Sequence, residues 1–102
     1  MRILPDPISF IWDTGNLTKN LVKHNVTITE AEELFINEPI TIAVDRKHSS
    51  IHEQRYYALG KSKNNRTLFT AFTIRDSKIR IISIRDMSNK ERQIYENLEN
   101  DS

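Results

Sequence analysis

Three apolar runs follow one another closely in the second half of the chain, at residues 54–62, 66–75 and 78–85. Each run is rich in β-branched or aromatic residues, which favour strands. The connecting residues 63–65 and 76–77 are short and polar, and Asn, Asp and Ser are typical turn residues. Strands joined by such short turns are antiparallel neighbours. The pattern therefore predicts a three-stranded antiparallel meander.

Two more strands are predicted for residues 8–13 and 40–45, which are short, apolar and composed of residues that favour strands. Between them a first helix is predicted within residues 13–25, because Leu17 and Leu21 recur at helical spacing. The first half of the chain is therefore expected to place helical structure between two strands.

Two further helices are predicted from capping boxes, in which a Ser or Thr and a Glu three residues later satisfy each other's backbone N–H groups. Thr29 and Glu32 form one such pair, and Pro39 is expected to end the helix that follows. Ser88 and Glu91 form the second pair, at the start of a helix with an apolar stripe. Along the chain, one of these helices precedes the predicted strands of the second half and the other follows them.

The predicted order of elements is β-α-α-β-β-β-β-α, which belongs to the α+β fold class. It corresponds to an antiparallel sheet of about four to five strands with two N-terminal helices and one C-terminal helix. A chain of 102 residues is long enough for one modest core, so residues 1–102 are expected to form a single domain.

Composition narrows the function classes. The chain has no cysteine, which excludes disulfides and thiolate zinc sites. The first ten residues lack the apolar region of a signal peptide, and no apolar run approaches the length of a membrane span. These features predict a cytoplasmic protein that has no membrane partner.

Charge is distributed unevenly, although the formal net charge is only +1. Residues 1–54 carry five basic and eight acidic residues, whereas residues 55–92 carry ten basic and three acidic ones. Residues 93–102 add three acidic residues and no basic one. A basic middle on a nearly neutral chain indicates a basic patch, which attracts anionic partners such as nucleic acids.

Basic residues also interrupt the last predicted strand, which is otherwise rich in isoleucine. If the preceding turn has two residues, Arg75 faces Lys78 and Thr73 faces Arg80 on one face of the hairpin. Facing cations repel each other, and an anion between them relieves the repulsion. Arginine suits phosphate, because its planar fork donates two hydrogen bonds and stays charged. The pattern is consistent with an anion site at this hairpin.

Part of this pattern has a simpler explanation, which stays open at this point. Arg75 and Lys78 lie beside a turn and also suit ordinary solvated charge. Regular alternation places Arg85 on the opposite face near Leu68, unless a twist or bulge brings it to the sheet edge. Arg80 is harder to explain as surface charge, because it lies near the middle of a predicted central strand.

The three histidines do not form a recognised metal-binding pattern. His48 and His52 lie near Asp45 and Glu53, but in a polar connection and without zinc-ligand spacing, so no metal is predicted. His24 falls at the end of the first predicted helix, where histidine more often caps carbonyl groups. No glycine-rich phosphate loop is present, and no cofactor is predicted.

Three segments of the chain carry a family resemblance. They are FIWD with Asn20, Lys23 and His24 behind it, EQRYYALGKS, and Arg75 followed by IRIISIR and SNKERQIYE. In order and spacing these segments resemble the BrnT-type toxins of bacterial type II toxin–antitoxin systems, which are related to the RelE-like ribonucleases. The chain departs from the family pattern at Asn16, Asn25 and Met87, where lysine, glycine and alanine are usual. None of these departures lies in the predicted strand at residues 78–85, which carries the arginines.

The resemblance implies a RelE-like fold and a small metal-independent endoribonuclease that cleaves RNA and arrests growth. It also implies a partner, a BrnA-type antitoxin with a ribbon-helix-helix domain, whose dimer would give a two-plus-two complex. Neither implication follows from composition or periodicity.

Metal-free RNA cleavage needs a base for the 2′-hydroxyl proton, cations for the charge on phosphorus and an acid for the departing 5′-oxygen. The candidate catalytic residues are Arg75, Arg80, Arg85, Tyr95, Glu53 and His24. Further RNA contacts are expected from the basic residues Lys23, Arg55, Lys61, Arg66 and Lys78.

The candidate catalytic residues have different expected roles. The three arginines would clamp the phosphate, while Glu53 and His24 are the candidate bases. Tyr95 is the candidate acid or stacking group, although its place on an amphipathic helix also suits a core residue. The residues alone do not select one base.

A non-catalytic module is the alternative function. Basic strands with Tyr56, Tyr57 and Phe69 would hold RNA by charge and stacking without cleaving it. A third reading is a protein that binds an acidic peptide and has no affinity for RNA.

Overall fold

The structure, a computed structural model, describes residues 3–12 and 23–101. Within these ranges it contains five strands and two helices. In chain order they are β1 (Phe10–Ile11), α1 (Ile28–Ile36), β2 (Thr41–Val44), β3 (Arg55–Lys61), β4 (Thr67–Arg75), β5 (Lys78–Asp86) and α2 (Asn89–Asn100). The helix predicted within residues 13–25 lies mostly outside the described residues.

The five strands form one sheet in the order β1-β5-β4-β3-β2. The pairs from β2 to β5 are antiparallel, which confirms the predicted meander of β3, β4 and β5. β1 instead pairs with β5 in parallel, so the sheet is mixed and the prediction of a purely antiparallel sheet is wrong for β1. A short turn fixes the relative direction of two strands, and β1 is separated from β5 by most of the chain.

The turn between β4 and β5 consists of residues 76–77, whose φ angles are 54° and 60°. Positive φ at both central positions is typical of a type I′ turn, and its twist matches that of the flanking strands. This turn sets the predicted register, in which Arg75 pairs with Lys78 and Thr73 pairs with Arg80.

A β-bulge interrupts this register farther along β5. Phe72 pairs with Ile81, but Ala71 pairs with Ser83, which leaves Ile82 as an extra residue. Side chains in a strand alternate between the two faces, and one extra residue reverses that alternation. Every residue of β5 after the bulge therefore lies on the face opposite to the expected one.

Arg85 lies after the bulge and pairs with Phe69, not with Leu68. Its side chain consequently shares a face of the sheet with Arg75 and Arg80. The prediction that placed Arg85 on the opposite face is wrong, because it assumed regular alternation along the whole strand.

The other face of the sheet carries the hydrophobic core, against which α1 packs. Leu34 and Phe35 of α1 form one buried cluster with strand residues that include Phe72 and Ile79. Gly60 in β3 allows the helix to approach closely, because a Cβ atom there would lie 2.9 Å from Leu34 Cγ. The core therefore occupies the α1 side, and the arginines of the hairpin lie on the other side.

The N-cap of α1 lies two residues before the predicted one. Thr27 is the N-cap, and Thr27 and Glu30 form the capping box. The predicted pair of Thr29 and Glu32 has the same spacing, but Glu32 Oε2 accepts a hydrogen bond of 2.9 Å from Trp12 Nε1. The two Thr–Glu pairs are equivalent in sequence, but the contact with Trp12 occupies Glu32 of the second pair. The prediction of Thr29 as the cap is therefore wrong.

α2 begins at the predicted capping box, with Ser88 as N-cap and Glu91 at the third helical position. It packs against β3 on the face opposite α1, and its Tyr95 is fully buried. α2 covers only one end of that face. No described helix has both the length and the apolar character needed to cross a membrane.

Candidate functional site

The face of the sheet opposite α1 carries a group of basic side chains, and we call it the basic face. Its basic residues include Arg55, Arg75, Lys78, Arg80 and Arg85. The part beside the turn at residues 76–77 is called the turn end. The opposite end of the β4–β5 hairpin lies next to α2. It is called the open end, because no turn joins β4 and β5 there.

Three side chains form a row across the turn end. Arg55, Thr73 and Arg80 lie next to one another on β3, β4 and β5. Neighbouring strands are roughly 4.8 Å apart, which places the Cα atoms of Arg55 and Arg80 on the order of 10 Å apart. Arg75 lies diagonally from Arg80, at a Cα distance of roughly 7–8 Å. Three guanidinium groups are therefore within reach of one small anion.

Two buried polar atoms in this row, Arg55 Nε and Thr73 Oγ1, have no hydrogen-bond partner among the described residues. Buried polar atoms are nearly always satisfied, so each exception calls for an explanation. Both atoms lie on the basic face, between β3 and β5. They mark the row as a candidate binding site for a polar ligand.

Glu53 lies beside the row and holds Arg75. Glu53 Oε2 accepts hydrogen bonds from Arg75 Nη2 at 2.9 Å and from Arg75 Nε at 3.2 Å. The pair is open to solvent, with 51% of the Arg75 side chain and 33% of the Glu53 side chain exposed. Exposed ion pairs contribute little stability, so an incoming phosphate can compete for Arg75. Lys78, which pairs with Arg75 across the hairpin, is exposed.

A buried carboxylate completes the turn end. Asp45 directly follows β2, is 3% exposed, and lies 3.7 Å from Arg55 Nε. His48 Nδ1 is 2.8 Å from Asp45 Oδ2, and the Tyr57 hydroxyl also bonds to this carboxylate. Burial opposes ionisation of Asp45, but the hydrogen bonds from Tyr57 and His48 outweigh it and hold the pKa of Asp45 below its ordinary value. An ionised carboxylate therefore lies beside the arginine row.

The sequence-based prediction missed the pairing of Asp45 with His48, because it considered both only as possible metal ligands. The signal was an Asp and a His three residues apart in a polar connection, a spacing that many loops share. In residues 3–12 and 23–101, no group of three or more His, Asp or Glu side chains could hold a metal ion.

At the open end, Arg85 is held by α2. Its Nη1 and Nη2 donate to the two carboxylate oxygens of Glu91, at 2.8 and 3.0 Å. Its guanidinium also lies 4.1 Å from the centroid of the Phe69 ring. The hydrogen bonds between the two groups raise the pKa of Arg85 and lower the pKa of Glu91. Because Glu91 also belongs to the capping box of α2, Arg85 links the basic face to the start of the helix.

Arg66 belongs to a denser network at the same end. Its Nε and Nη2 donate to Asp86 at 2.8 and 3.1 Å, and its Nη1 lies 3.2 Å from Glu30 Oε1. The same guanidinium donates to the backbone carbonyls of His24 and Asn25. Its hydrogen bonds lower the pKa of Asp86, and those bonds raise the pKa of Arg66. This predicted RNA contact is thus engaged within the protein.

The remaining candidates also lie away from the turn end. Lys23 is exposed and directly precedes His24, whose backbone belongs to the network at the open end. Lys61 Nζ lies 2.7 Å from Glu99 of α2. Tyr95 is buried with its hydroxyl on a backbone carbonyl, and burial raises its pKa to about 12. This placement favours the core alternative for Tyr95.

A shallow apolar pocket of about 270 Å³ lies between α2 and the middle of the basic face. Its lining includes Tyr57, Phe69 and Ile94. The rings of Tyr57 and Phe69 are 5.2 Å apart at their centroids. Aromatic surface next to bound phosphates is the arrangement that single-stranded nucleic acids use for base stacking.

Comparisons with known proteins identify the family and the fold. The family model described as "Ribonuclease toxin, BrnT, of type II toxin-antitoxin system" matches residues 12–91. Among solved structures, the chain is similar to the crystal structure of the Brucella abortus ribonuclease toxin BrnT, with a TM-score of 0.56 and 20% sequence identity. That match covers 80% of this chain and 99% of the Brucella chain, and at this identity it concerns the fold. No curated protein sequence matches the chain.

Proposed function

The chain belongs to the BrnT family of ribonuclease toxins of type II toxin–antitoxin systems, and on that premise we propose that it is a metal-independent endoribonuclease. The proposed active site is the turn end of the basic face. The observation that carries the proposal is the gathering of Arg55, Arg75 and Arg80 beside two buried polar atoms that have no hydrogen-bond partner among the described residues.

The proposed reaction is an attack of a ribose 2′-hydroxyl on the neighbouring phosphorus. The oxygen–phosphorus bond forms as a base takes the hydroxyl proton, and the bond from phosphorus to the 5′-oxygen breaks. The departing oxygen takes a proton, which leaves a 2′,3′-cyclic phosphate on one product and a 5′-hydroxyl on the other. Negative charge builds up on the phosphate oxygens along the way, and fixed cations stabilise it.

Arg80 is the central cation of this proposal. It lies on β5 between buried Ile79 and Ile81, so the strand holds its backbone rigidly. Strands position a functional group more precisely than loops do, and phosphoryl chemistry depends on such positioning. Arg75 approaches from β4 on the other side of the hairpin, so a phosphate above the two strands would lie near both guanidinium groups.

Glu53 is assigned to the positioning of Arg75 rather than to proton transfer. Glu53 Oε2 already accepts two hydrogen bonds from Arg75, so this oxygen is engaged in orienting that guanidinium. Arg85 lies at the far end of the same face, roughly 15 Å from Arg80 along β5. We place Arg85 and the neighbouring aromatic pocket at an adjacent nucleotide of the RNA.

Cleavage of a labelled single-stranded RNA in excess EDTA tests the proposal. We expect cleavage to continue in EDTA and to stop when the ribose at the cleaved position lacks its 2′-hydroxyl. The Arg80→Ala protein, purified in the same way, excludes a contaminating nuclease. RNA that is bound but left intact would favour the non-catalytic module, and a protein without RNA affinity would favour the peptide-binding alternative.

The partner proposed for the chain is a BrnA-type antitoxin with a ribbon-helix-helix domain, in a two-plus-two complex. A basic face is complementary to an acidic or hydrogen-bonding segment, and such a segment would exclude RNA from the turn end. We expect growth arrest when the toxin acts alone in the cytoplasm. We also expect the purified complex to lose RNase activity while the melting temperature of the toxin does not fall, and a complex that cleaves RNA at the free toxin's rate would contradict this masking.

A further inference from the structure

The proposed reaction lacks an assigned base, and Asp45 and His48 form the best-organised proton-transfer group near the arginine row. Asp45 Oδ1 accepts a hydrogen bond from the His48 backbone N–H at 3.2 Å, and Asp45 Oδ2 lies 2.8 Å from His48 Nδ1. The Tyr57 hydroxyl bonds to the same carboxylate. The carboxylate is thus fixed from two sides, and it fixes the imidazole in turn.

The protonation of this pair follows from the state of Asp45. Its carboxyl group is ionised at neutral pH, because hydrogen bonds hold its pKa below the ordinary value despite burial. An ionised carboxylate only accepts hydrogen bonds, so His48 Nδ1 carries the proton of the shared bond. A neutral imidazole protonated at Nδ1 has its lone pair at Nε2. In the neutral ring, the bond to Asp45 therefore leaves Nε2 available to accept a proton.

The pair is also close to the proposed phosphate site. Asp45 N donates to the backbone carbonyl of Arg55 at 2.8 Å, so Asp45 extends the row of Arg55, Thr73 and Arg80 by one position. At roughly 4.8 Å per strand, the Cα atoms of Asp45 and Arg80 are on the order of 14 Å apart. Long side chains reach inward from both ends of such a row. The His48 side chain is 48% exposed and thus open to a bound RNA.

The unpartnered atoms lie between the two ends of this row. Arg55 Nε is a donor and Thr73 Oγ1 is both a donor and an acceptor, and neither has a hydrogen-bond partner among the described residues. A phosphate oxygen would satisfy both donors. This would place the phosphate between Arg80 on one side and the Asp45–His48 pair on the other.

We infer that His48 is the general base of the proposed ribonuclease reaction and that Asp45 is the residue that positions it. The inference rests on the proposed function. His48 Nε2 accepts the proton of the 2′-hydroxyl as that oxygen bonds to phosphorus. The departing 5′-oxygen takes a proton from water, and the imidazolium returns its proton to the hydroxide that remains. The charged and titratable groups around His48 are Asp45 after β2, Arg55 and Tyr57 of β3, and the preceding loop residues Arg46 and Lys47.

The experiment is single-turnover RNA cleavage between pH 5 and 9 with the full chain. The variant His48→Gln removes the base, and His52→Gln is the matched control from the same loop. We expect His48→Gln to cleave about a hundredfold or more slowly, in line with the loss of a general base. We expect its remaining rate to lose the rise between about pH 5 and 8 that an imidazole produces. RNA affinity and melting temperature should stay close to those of His52→Gln.

Asp45→Asn tests the positioning role. Its amide can donate or accept, so it no longer fixes the ring with Nε2 free, and the cleavage rate per folded molecule should fall while RNA affinity stays near the wild-type value. A purely structural role would lower the melting temperature and leave the cleavage rate per folded molecule unchanged. The buried site makes Asp45→Asn prone to unfolding, and the His48→Gln profile decides the inference independently of it.

The outcomes separate the inference from the proposed function. Wild-type cleavage together with a His48→Gln protein of wild-type rate and pH profile would overturn the role of His48 and leave the ribonuclease proposal intact. If the wild type binds RNA and never cleaves it, the proposed function itself fails, and His48 has no reaction to catalyse. A wild-type rate that is already at its plateau at pH 5 would instead assign the base to a carboxylate.

Discussion

At the open end, on the α1 side of the sheet, Arg66 donates to Asp86 and to two backbone carbonyls, whereas at the turn end Arg55 Nε is buried without a hydrogen-bond partner among the described residues. Arg85 is likewise bonded to Glu91 through both terminal nitrogens. Arg75 at the turn end is bonded to Glu53, whose side chain is 33% exposed. The turn end thus combines a solvent-facing ion pair with an unsatisfied buried nitrogen, whereas the described hydrogen bonds of the open end enclose its arginines.

The difference indicates which cations serve the fold and which serve a ligand. An unsatisfied buried polar atom destabilises a protein by about 1–3 kcal/mol, and such atoms persist mainly at functional sites. Paired cations, by contrast, join separate elements of the chain. The open end is therefore interpreted as structural support, and the turn end as the place where an anion completes the arrangement.

The largest expected effect is that of Arg80→Ala on catalysis. We expect cleavage to fall by about a hundredfold or more, as on removal of one transition-state donor, while the melting temperature changes little. Arg80→Lys should restore only part of the rate, because a point charge does not reproduce the bidentate fork. Single-turnover cleavage and thermal melting measure both quantities.

Lys78→Ala is the control for this variant, because the exposed lysine lies beside the turn and should matter little to the rate. An Arg80→Ala protein that melts far lower would make Arg80 a structural residue like Arg66. A stable Arg80→Ala protein with full activity would make it ordinary surface charge.

The next effect concerns salt. Neutralisation of about four phosphates predicts a log–log slope of roughly −3 for single-stranded RNA, which is about a sixtyfold loss of affinity between 50 and 200 mM salt. Arg80→Ala should flatten the slope by roughly 0.7, and Arg66→Ala should leave it near the wild-type value. Equilibrium binding titrations at several salt concentrations measure it, and an affinity independent of salt would refute the basic face as an RNA site.

Arg66→Ala should lower the stability of the fold and leave the cleavage rate unchanged. The side chain is three-quarters buried and bonds to two carboxylates and two carbonyls. We expect the free energy of unfolding to fall by about 2 kcal/mol, or roughly 10 °C in melting temperature, with normal cleavage per folded molecule. Loss of cleavage without loss of stability would move Arg66 into the active site and break the distinction between the two ends.

The smallest effect is the response of stability to acid. The hydrogen bonds from Arg66 and Arg85 lower the pKa values of Asp86 and Glu91 below their ordinary values of 3.8 and 4.5. A lowered pKa in the folded state gives stability that is present above the ordinary pKa and is lost as the pH falls through the folded pKa. The free energy of unfolding should therefore decline as the pH drops below about 5.

Urea unfolding between pH 3 and 7 measures this decline. In Arg66→Ala the decline should be shallower than in the wild type, because Asp86 then titrates closer to its ordinary pKa. An equally steep decline in both proteins would mean that the Arg66 network does not couple to Asp86 in solution.

Much of the fold could be predicted from the sequence, because local rules set it. The β3–β4–β5 meander, the two-residue turn and the capping box of α2 each depend on residues that are close in the chain. The pairing of Arg75 with Lys78 followed from the turn alone. Asn25 also follows a local rule, since it adopts a φ of 54°, a conformation that glycine and asparagine tolerate best.

Other features depended on contacts between residues far apart in the chain. The cap of α1 lies at Thr27 while Glu32 is bonded to Trp12. The parallel pairing of β1 with β5 could not be predicted, because no short turn connects the two strands. The Asp45–His48 pair was visible as a spacing, but its burial beside Arg55 was not.

The bulge at Ile82 shows most clearly what the sequence determined and what only the tertiary structure decided. The sequence determined that β5 would be an isoleucine strand interrupted by arginines. It did not determine their common face, because side-chain direction in a strand depends on an unbroken count of residues and one extra residue reverses it. That extra residue is set by the packing of Ile81 and Ile84 into the α1 side of the sheet, where both are buried. The core thus decided that Arg85 would share a face with Arg75 and Arg80.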